Sequence, residues 1–365
     1  RVASRGLGDV YKRQVGDAMA TTIWGTASSW TLTALPLFVW MGEILFRTKL
    51  SENLFKGLSP WMQKLPGGLI HVNVVGCALF AAISGSSAAT VATVGKMSIP
   101  ELRKRNYPEK ILLGSLAGSG TLGLLIPPSI ILIIYGVAVQ ESIAKLFIAG
   151  IIPGIMIALI FMSYVVIWSL INKKEMPQIL EEYSFFEKIK RSKQLLPVIL
   201  LITSVIGSIY TGVATATEAA SLGVVGALIL SYFQSSLTLE TFKSSLLGAT
   251  KTSCMIAFIL AGSTFLSLAM GFTGLPRNLA VWIQNMNLSP YLLILVLMIF
   301  YIILGMFLDG ISAVVLTMAI IEPMIRQAGF DMIWFGIFLV IVVEMAQITP
   351  PVGFNLFVLQ GMANK

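Results

Sequence analysis

Asp309 stands in the string Leu308-Asp309-Gly310-Ile311-Ser312, inside a long apolar stretch. A carboxylate at that depth in lipid is costly, so an intramembrane acid reads first as a group that handles an ion. A second interruption, Ser84-Gly85-Ser86-Ser87-Ala88-Ala89-Thr90, lies 223 positions upstream of Phe307–Ala313 and is rich in hydroxyls and small residues. Two further breaks follow. Gly118-Ser119-Gly120-Thr121-Leu122-Gly123 precedes Pro127-Pro128, and Gln347-Ile348-Thr349 precedes Pro350-Pro351-Val352-Gly353-Phe354-Asn355. Backbone without helical hydrogen bonds is tolerated at membrane depth only when it is buried in protein or lines a watery cavity. Such loops expose carbonyl oxygens, and serine and threonine add more, which makes an oxygen cage for a hard cation. With no carboxylate cluster to hold a divalent ion, Na⁺ suits it best. Helix N-termini beside such loops present amides to an anion.

Those groups need broken helices to hold them. A prolyl pair in an apolar helix removes amide donors and clashes with the preceding turn, so Pro127-Pro128 and Pro350-Pro351 each mark a helix break. The breaks are copies of one pattern: Lys96–Arg103 aligns with Ala319–Arg326, and Ile126-Pro127-Pro128 with Thr349-Pro350-Pro351, at the same offset of 223. Matched interruptions in two halves are the best sequence pointer to a transporter binding site at the membrane midplane. Each half follows one plan. An amphipathic segment (Arg47 to Lys64; Gly274 to Pro290) leads to an apolar stretch interrupted at its centre, then a proline-containing turn, then the broken helix. Arms of about 10–14 residues on either side of an interruption are too short to cross alone and predict a re-entrant hairpin.

Small-residue runs also let ordinary membrane helices pack closely; their pairing with double-proline breaks in both halves favours a site. Glu344, in the second broken helix, serves equally well as an ion-handling group or as a bridge between helices. Glu218, in Thr215-Ala216-Thr217-Glu218, reads as a helix cap. His71, the single histidine, is expected at the membrane interface. One histidine leaves no material for metal clusters or histidine-based triads. Ser84-Gly85-Ser86-Ser87 has no base nearby, and no Gly-rich phosphate loop ending in Gly-Lys-Ser/Thr occurs. The chain is not expected to be an enzyme, to need a cofactor beyond a coupling ion, or to bind ATP directly.

The composition fits this. The chain of 365 residues is 56% hydrophobic and 12% charged, with a mean hydropathy of +0.87, whereas a soluble domain carries about a quarter charged residues. It is an all-α polytopic membrane protein, with apolar stretches near 18–46, 67–95, 111–137, 143–172, 195–213, 217–234, 252–273, 290–321 and 332–362. The net charge of +8 does not signal nucleic acid. Lys96 and the segments 47–66, 101–110, 172–194 and 235–251 hold seventeen of the 25 Lys and Arg residues, against Lys145, Arg277 and Arg326 in the opposite loops. That is the positive-inside bias, with Lys188, Lys190, Arg191 and Lys193 at the anionic inner leaflet. Cys77 and Cys254 lie in apolar runs and read as packing residues.

Residues 1–14 are polar and basic and read as a non-native leader or assembly scar. The first inverted repeat, with hairpin 1 and the charged linker Asn172 to Gln194, is expected over 15–194, and the second, with hairpin 2, over 195–365. Odd numbers of crossings in each half give the two repeats opposite orientation, as the charge distribution requires. The last apolar stretch reaches Lys365 with no closing loop, which predicts a fragment.

Seven strings, in order over about residues 17–363, together resemble the large membrane subunit of tripartite ATP-independent periplasmic (TRAP) transporters, the DctM-like family. They are Ala34–Phe38 with Gly42-Glu43; Ile83–Thr90; Ile126–Ser129; Phe147–Gly154; Thr217-Glu218-Ala219; Gly305–Gly310; and Ile348–Val358. The resemblance implies a sodium-coupled, elevator-type importer in the bacterial inner membrane. It also implies two partners, a small DctQ-like membrane subunit and a periplasmic DctP-like protein that delivers a carboxylate-bearing solute. By the same resemblance Ser86, Ser87, Thr121 and Gly123 would form one sodium site, and Gly305, Asp309, Thr349 and Gly353 a second. The solute carboxylate would lie near Ser87, Thr90 and Asn355. Relative to the family, the resemblance leads one to expect that the first transmembrane helix before Val15 and the closing helix after Lys365 are missing from this sequence.

Two other readings compete: a stand-alone sodium/divalent-anion symporter that needs no binding protein, and a membrane-embedded enzyme or proton-channel subunit. The last would need an intramembrane relay, for which only Asp309 and Glu344 are at hand. Asp309→Asn is expected to lower the apparent sodium affinity of solute uptake. Uptake whose sodium dependence is unchanged in the variant would contradict a coupling role for this acid.

Overall fold

The structure is a computed structural model that describes residues 2–48, 50–177, 183–193, 195–275, 278–279, 281 and 289–363; for 2–13 and 50–52 it describes the backbone alone. Most of the expected segment Gly274 to Pro290 and residues 178–182 and 194 of the linker lie outside the described residues.

The first hairpin comprises α4 (Ile70–Ser84) and α5 (Ser87–Lys104), following α1 (Val2–Ala27), α2 (Ala34–Phe46) and the amphipathic α3 (Leu50–Met62). The first broken helix is α6 (Glu109–Gly120), a 3₁₀ turn at Thr121–Leu124, and α7 (Ile130–Val139). Next come α8 (Ile143–Ile171), the short α9 (Phe185–Ser192), α10 (Leu196–Tyr210), α11 (Ala216–Phe233) and α12 (Leu239–Thr273). The second hairpin, α13 (Pro290–Gly305) and α14 (Gly310–Gln327), is followed by the second broken helix, α15 (Met332–Gln347) and α16 (Phe354–Ala363). At the offset of 223, α5 maps onto α14 residue for residue, and Glu109 of α6 onto Met332 of α15. The inverted repeat is therefore a repeat of helices as well as of letters.

Burial sorts the helices into two kinds. Along α4, Ile70 to Val74, Cys77 and Phe80 to Ser84 are all buried, and α7 buries Ile130–Gly136 and Val139. A helix apolar all round belongs inside a protein. By contrast α8, α11 and α12 turn Ile152, Leu222 and Phe258 outward, as helices do that face lipid. Four described helices are long and apolar enough to cross a bilayer alone, namely α8, α11, α12 and α14. Helix α2 lies against α11 and α12, and α1 against α12, forming a panel beside the hairpin-bearing body.

The two repeats interlock within that body. Helix α14 packs on α7, and α16 packs on α5. These are equivalent contacts under the repeat: each half-helix rests on the second arm of the other repeat's hairpin. Both arms of the second hairpin also lie against α15.

Two sequence expectations need correction. The hairpin arms run to 15, 18, 16 and 18 residues rather than 10–14, because each second arm continues as helix into its polar end. Pro100 and Pro323 do not make turns; each sits inside its helix near the end, where losing one backbone bond is cheap relative to mid-helix. His71, at the start of α4, is fully buried, with Nε2 at 2.7 Å from the Pro66 carbonyl. The Glu218 cap is present as expected: Thr215 and Glu218 form a reciprocal capping box at the start of α11.

The inverted orientation is testable at two equivalent exposed positions, Lys104 and Gln327. In a background with the exposed Cys254 replaced by serine, Gln327→Cys should react with a membrane-impermeant maleimide on intact cells. Lys104→Cys should react only after permeabilisation. Labelling of both from one side would contradict the inversion.

Candidate functional site

Gly85 ends α4 in the left-handed conformation, φ 60°, with its N–H donating to Ala81 O. A Cβ there would meet Pro128 O at 2.7 Å, so glycine is required both by the turn and by the neighbouring break. The Gly85 carbonyl accepts from Ile130 N at 3.3 Å. The tip of hairpin 1 is thus docked on the first helix break. Gly123 completes the docking: a Cβ would stand 2.5 Å from Ser86 O and 2.7 Å from Thr90 Oγ. Between these backbones lies a cluster of oxygens. Ser84 Oγ and Thr90 Oγ are 2.8 Å apart, and Thr90 Oγ donates to Ser86 O at 2.8 Å. Thr121 spends its hydroxyl on Gly118 O of its own helix, at 2.7 Å. Pro127-Pro128 and Pro350-Pro351 are both cis and occupy equivalent places. After the first pair, Ser129 caps α7, its Oγ accepting from Leu132 N.

The second hairpin tip is built differently. Asp309 is the N-cap of α14, its Oδ2 accepting from Ile311 N at 3.1 Å and Ser312 N at 3.2 Å. Gly305 is buried where a Cβ would meet Ala346 at 2.6 Å, so the end of α13 lies close against α15. In the second break Thr349 Oγ donates to Met345 O at 2.6 Å, and Gly353 is left-handed with φ 57°.

Both tips face one cavity of about 650 Å³. Of the residues singled out from the sequence, Ser86, Ser87 and Asp309 line it. Thr90 and Asn355 are wholly buried behind its wall. The Asn355 carboxamide has no partner on either its oxygen or its nitrogen, and Glu344 Oε1, also buried, has none. Glycines 123, 305 and 353 act through close approach or backbone conformation, as above. Gln347, at the end of α15, was not singled out by the sequence, yet it links the two repeats at the cavity: Ser87 Oγ donates to Gln347 Oε1 at 2.7 Å. Its signal was a carboxamide just before a double-proline break in an apolar helix. The far wall comes from the panel, through Gly42, Glu43 and Phe46 of α2 and Thr252 and Met255 of α12. Gly42 lets α2 approach Ser84, where a Cβ would be 3.2 Å from its Cα.

The electrostatics of this lining are distinctive. Its ionisable side chains are Glu43, which pairs with Arg47 at 2.9 Å, and Asp309, and no Lys, Arg or His is itself among the lining residues. Four helices nevertheless begin at the cavity: α5 at Ser87, α7 at Ile130, α14 at Gly310 and α16 at Phe354. First-turn amides have no intrahelical acceptor. Ser129 and Asp309 answer part of that need for α7 and α14, whereas Ser86 makes no side-chain cap for α5. The α5 amides therefore stay open to an anion. Among the described residues no group of three or more His, Cys, Asp or Glu could hold a metal.

The sequence profile of the tripartite ATP-independent periplasmic transporter DctM component matches residues 7–365. The chain is 34% identical to the C4-dicarboxylate TRAP transporter large permease protein DctM of Pseudomonas aeruginosa, over 93% of this chain and 79% of that protein. It is 31% identical to the isethionate TRAP transporter permease protein DctMQ of Oleidesulfovibrio alaskensis, over 95% of this chain and 55% of the relative. Its fold is similar to that of the Alcanivorax borkumensis YdaH transporter, with a TM-score of 0.64 at 12% identity, covering 96% of this chain and 81% of that one.

Gly123→Ala should force the hairpin tip off the break and lower stability by about 1–3 kcal/mol, read as a lower unfolding temperature in detergent. Gly114→Ala, where a Cβ meets nothing within 4 Å, should be neutral or stabilising. Equal effects of the two substitutions would contradict the docked geometry.

Proposed function

The chain belongs to the DctM, or large permease, family of tripartite ATP-independent periplasmic transporters, and from that membership we propose that it carries an anionic solute inward, coupled to Na⁺. The observation that carries this reading is the cavity lining. It holds Asp309 and an Arg47-paired Glu43 and no basic side chain of its own, yet four helix N-termini converge on it. A carboxylate or sulfonate entering beside Asp309 needs positive charge from another source. The open α5 amides supply part of it, and Na⁺ held by the oxygens of the two tips supplies the rest. Solute and ion then favour each other's binding, which is coupling in thermodynamic terms. The relatives' named solutes, a C4-dicarboxylate and isethionate, share only an anionic head group. That fits a site built on backbone amides rather than on one specific arginine.

In this proposal the oxygens around Ser86, Ser87, Thr121 and Gly123 serve one ion, and those around Gly305, Asp309, Thr349 and Gly353 the other. Ser87 contacts the solute, while Thr90 and Asn355 support the wall behind it. The interlocked hairpins and broken helices move as one body against the panel of α1, α2, α11 and α12, in an elevator motion. The cavity carries Glu43 and Phe46, beside the basic segment 47–66, so it opens toward the cytoplasm under the positive-inside orientation. The protein resides in the bacterial inner membrane. A small membrane subunit and a periplasmic solute-binding protein complete the tripartite system, and the DctMQ relative is in keeping with a close tie between the two membrane subunits.

The test is reconstitution with the small subunit in liposomes, following labelled C4-dicarboxylate, sialic acid and isethionate under an inward Na⁺ gradient, with and without the cognate binding protein. Uptake that requires both is expected. Sodium-driven uptake without the binding protein would point to a self-sufficient symporter, and no uptake of any anion by folded protein would overturn the proposal.

A further inference from the structure

Two arginines outside the cavity are related by the same repeat. Arg103 lies in the last turn of α5 and Arg326 in the last turn of α14, 223 positions apart. Arg103 Nη2 donates to the carbonyl of Ala363, the last described residue of α16, at 3.3 Å. Arg326 Nη2 donates to the carbonyl of Val139, the last residue of α7, at 3.1 Å. Each guanidinium is also steered by carboxylates. Arg103 pairs with Glu109 at 2.5 Å; Arg326 pairs with Glu322 at 2.9 Å and stands 3.8 Å from Glu141. The arrangement crosses the repeats: an arginine of the first reaches a half-helix of the second, and the reverse.

We infer that Arg103 and Arg326 are a matched pair of positioning residues, each anchoring the other repeat's half-helix at a point remote from the cavity so that its N-terminus is held there. The physical reasons are three. The last carbonyls of α7 have no intrahelical donor, and a cation toward the C-terminal side of either half-helix complements its dipole. A guanidinium fork can serve a carbonyl and a carboxylate together, which an ammonium on a flexible stem does less well. A ten-residue helix is about 15 Å long, so a small tilt at its outer end displaces the amides at its inner end. Helices α7 and α16 each have ten residues, and both begin at the cavity. Both arginine side chains are partly exposed, at 40% and 48%, so the contacts set position more than they add stability. One lies in the basic loop 101–110 and the other in an opposite loop, so the anchors sit at opposite faces of the membrane.

The consequence for transport rests on the reading above, whereas the anchoring does not, and the experiment separates them. Hydrogen exchange would be followed on the full chain in nanodiscs for wild type, Arg103→Gln, Arg326→Gln and the two Lys variants. Arg103→Gln should speed exchange in 354–363 about three- to tenfold while leaving 130–139 unchanged, and Arg326→Gln should do the reverse, with partial rescue by Lys. In proteoliposomes each Gln variant should raise the solute KM by a similar factor while the maximal rate changes less than about twofold. Exchange that rises only within the arginine's own repeat, in both segments alike, or in neither would overturn the anchoring. Altered exchange with an unchanged KM would overturn the positioning role. Wild type that transports nothing would fault the functional proposal while the exchange pattern still decides the anchoring. If a Gln variant unfolds, its Lys variant decides by the same crossed pattern.

Discussion

Backbone amides and carbonyls released inside a bilayer must find partners within the protein, and this requirement organises the molecule. Two helices are broken at cis prolyl pairs and two helical hairpins turn back on themselves. Each break frees polar groups that lipid cannot satisfy. The first tip answers by docking on the first break, through Gly85 O and Ile130 N, with Gly85 and Gly123 leaving no room for a Cβ. Closer burial would strip these oxygens of function. Looser packing would flood them with water. The sheath of α8 and the panel helices, with their outward-facing apolar side chains, keeps this polar centre out of lipid.

The same requirement explains the form of the cavity. A transporter that released an anion from an arginine would have to break a strong charge-assisted pair in every cycle. Here the lining places positive partial charge on helix N-termini and has no basic side chain of its own, and in the proposed function a mobile cation adjusts the balance. The link between Ser87 and Gln347 is then a seam between the two repeats beside the place where solute and ion would meet.

Much of this was legible in the sequence because it is written twice. The double prolines, the interruptions at Ser84–Thr90 and Leu308–Ser312, and the 223-residue offset named both hairpins and both breaks before any coordinates. Side-chain direction was not legible. Thr90 and Asn355 are wholly buried, the Thr90 hydroxyl in the oxygen cluster of the first tip, whereas Gln347 faces the seam. Apolar sequence carries little information about which face of a helix turns toward a cavity, because every face is apolar. The arginines had been counted only as loop charges, since their carbonyl partners lie in the other repeat.

The central claim is that the docked tip of hairpin 1 forms a Na⁺-selective oxygen site. Equilibrium binding of radioactive Na⁺ to the purified protein in nanodiscs tests it most directly, comparing wild type with Gly85→Val, which places bulk between the tip and Pro128. The account predicts saturable binding displaced by unlabelled Na⁺ but not by K⁺, and reduced in folded Gly85→Val. Absence of saturable binding in wild type, or its full retention in Gly85→Val, would contradict it.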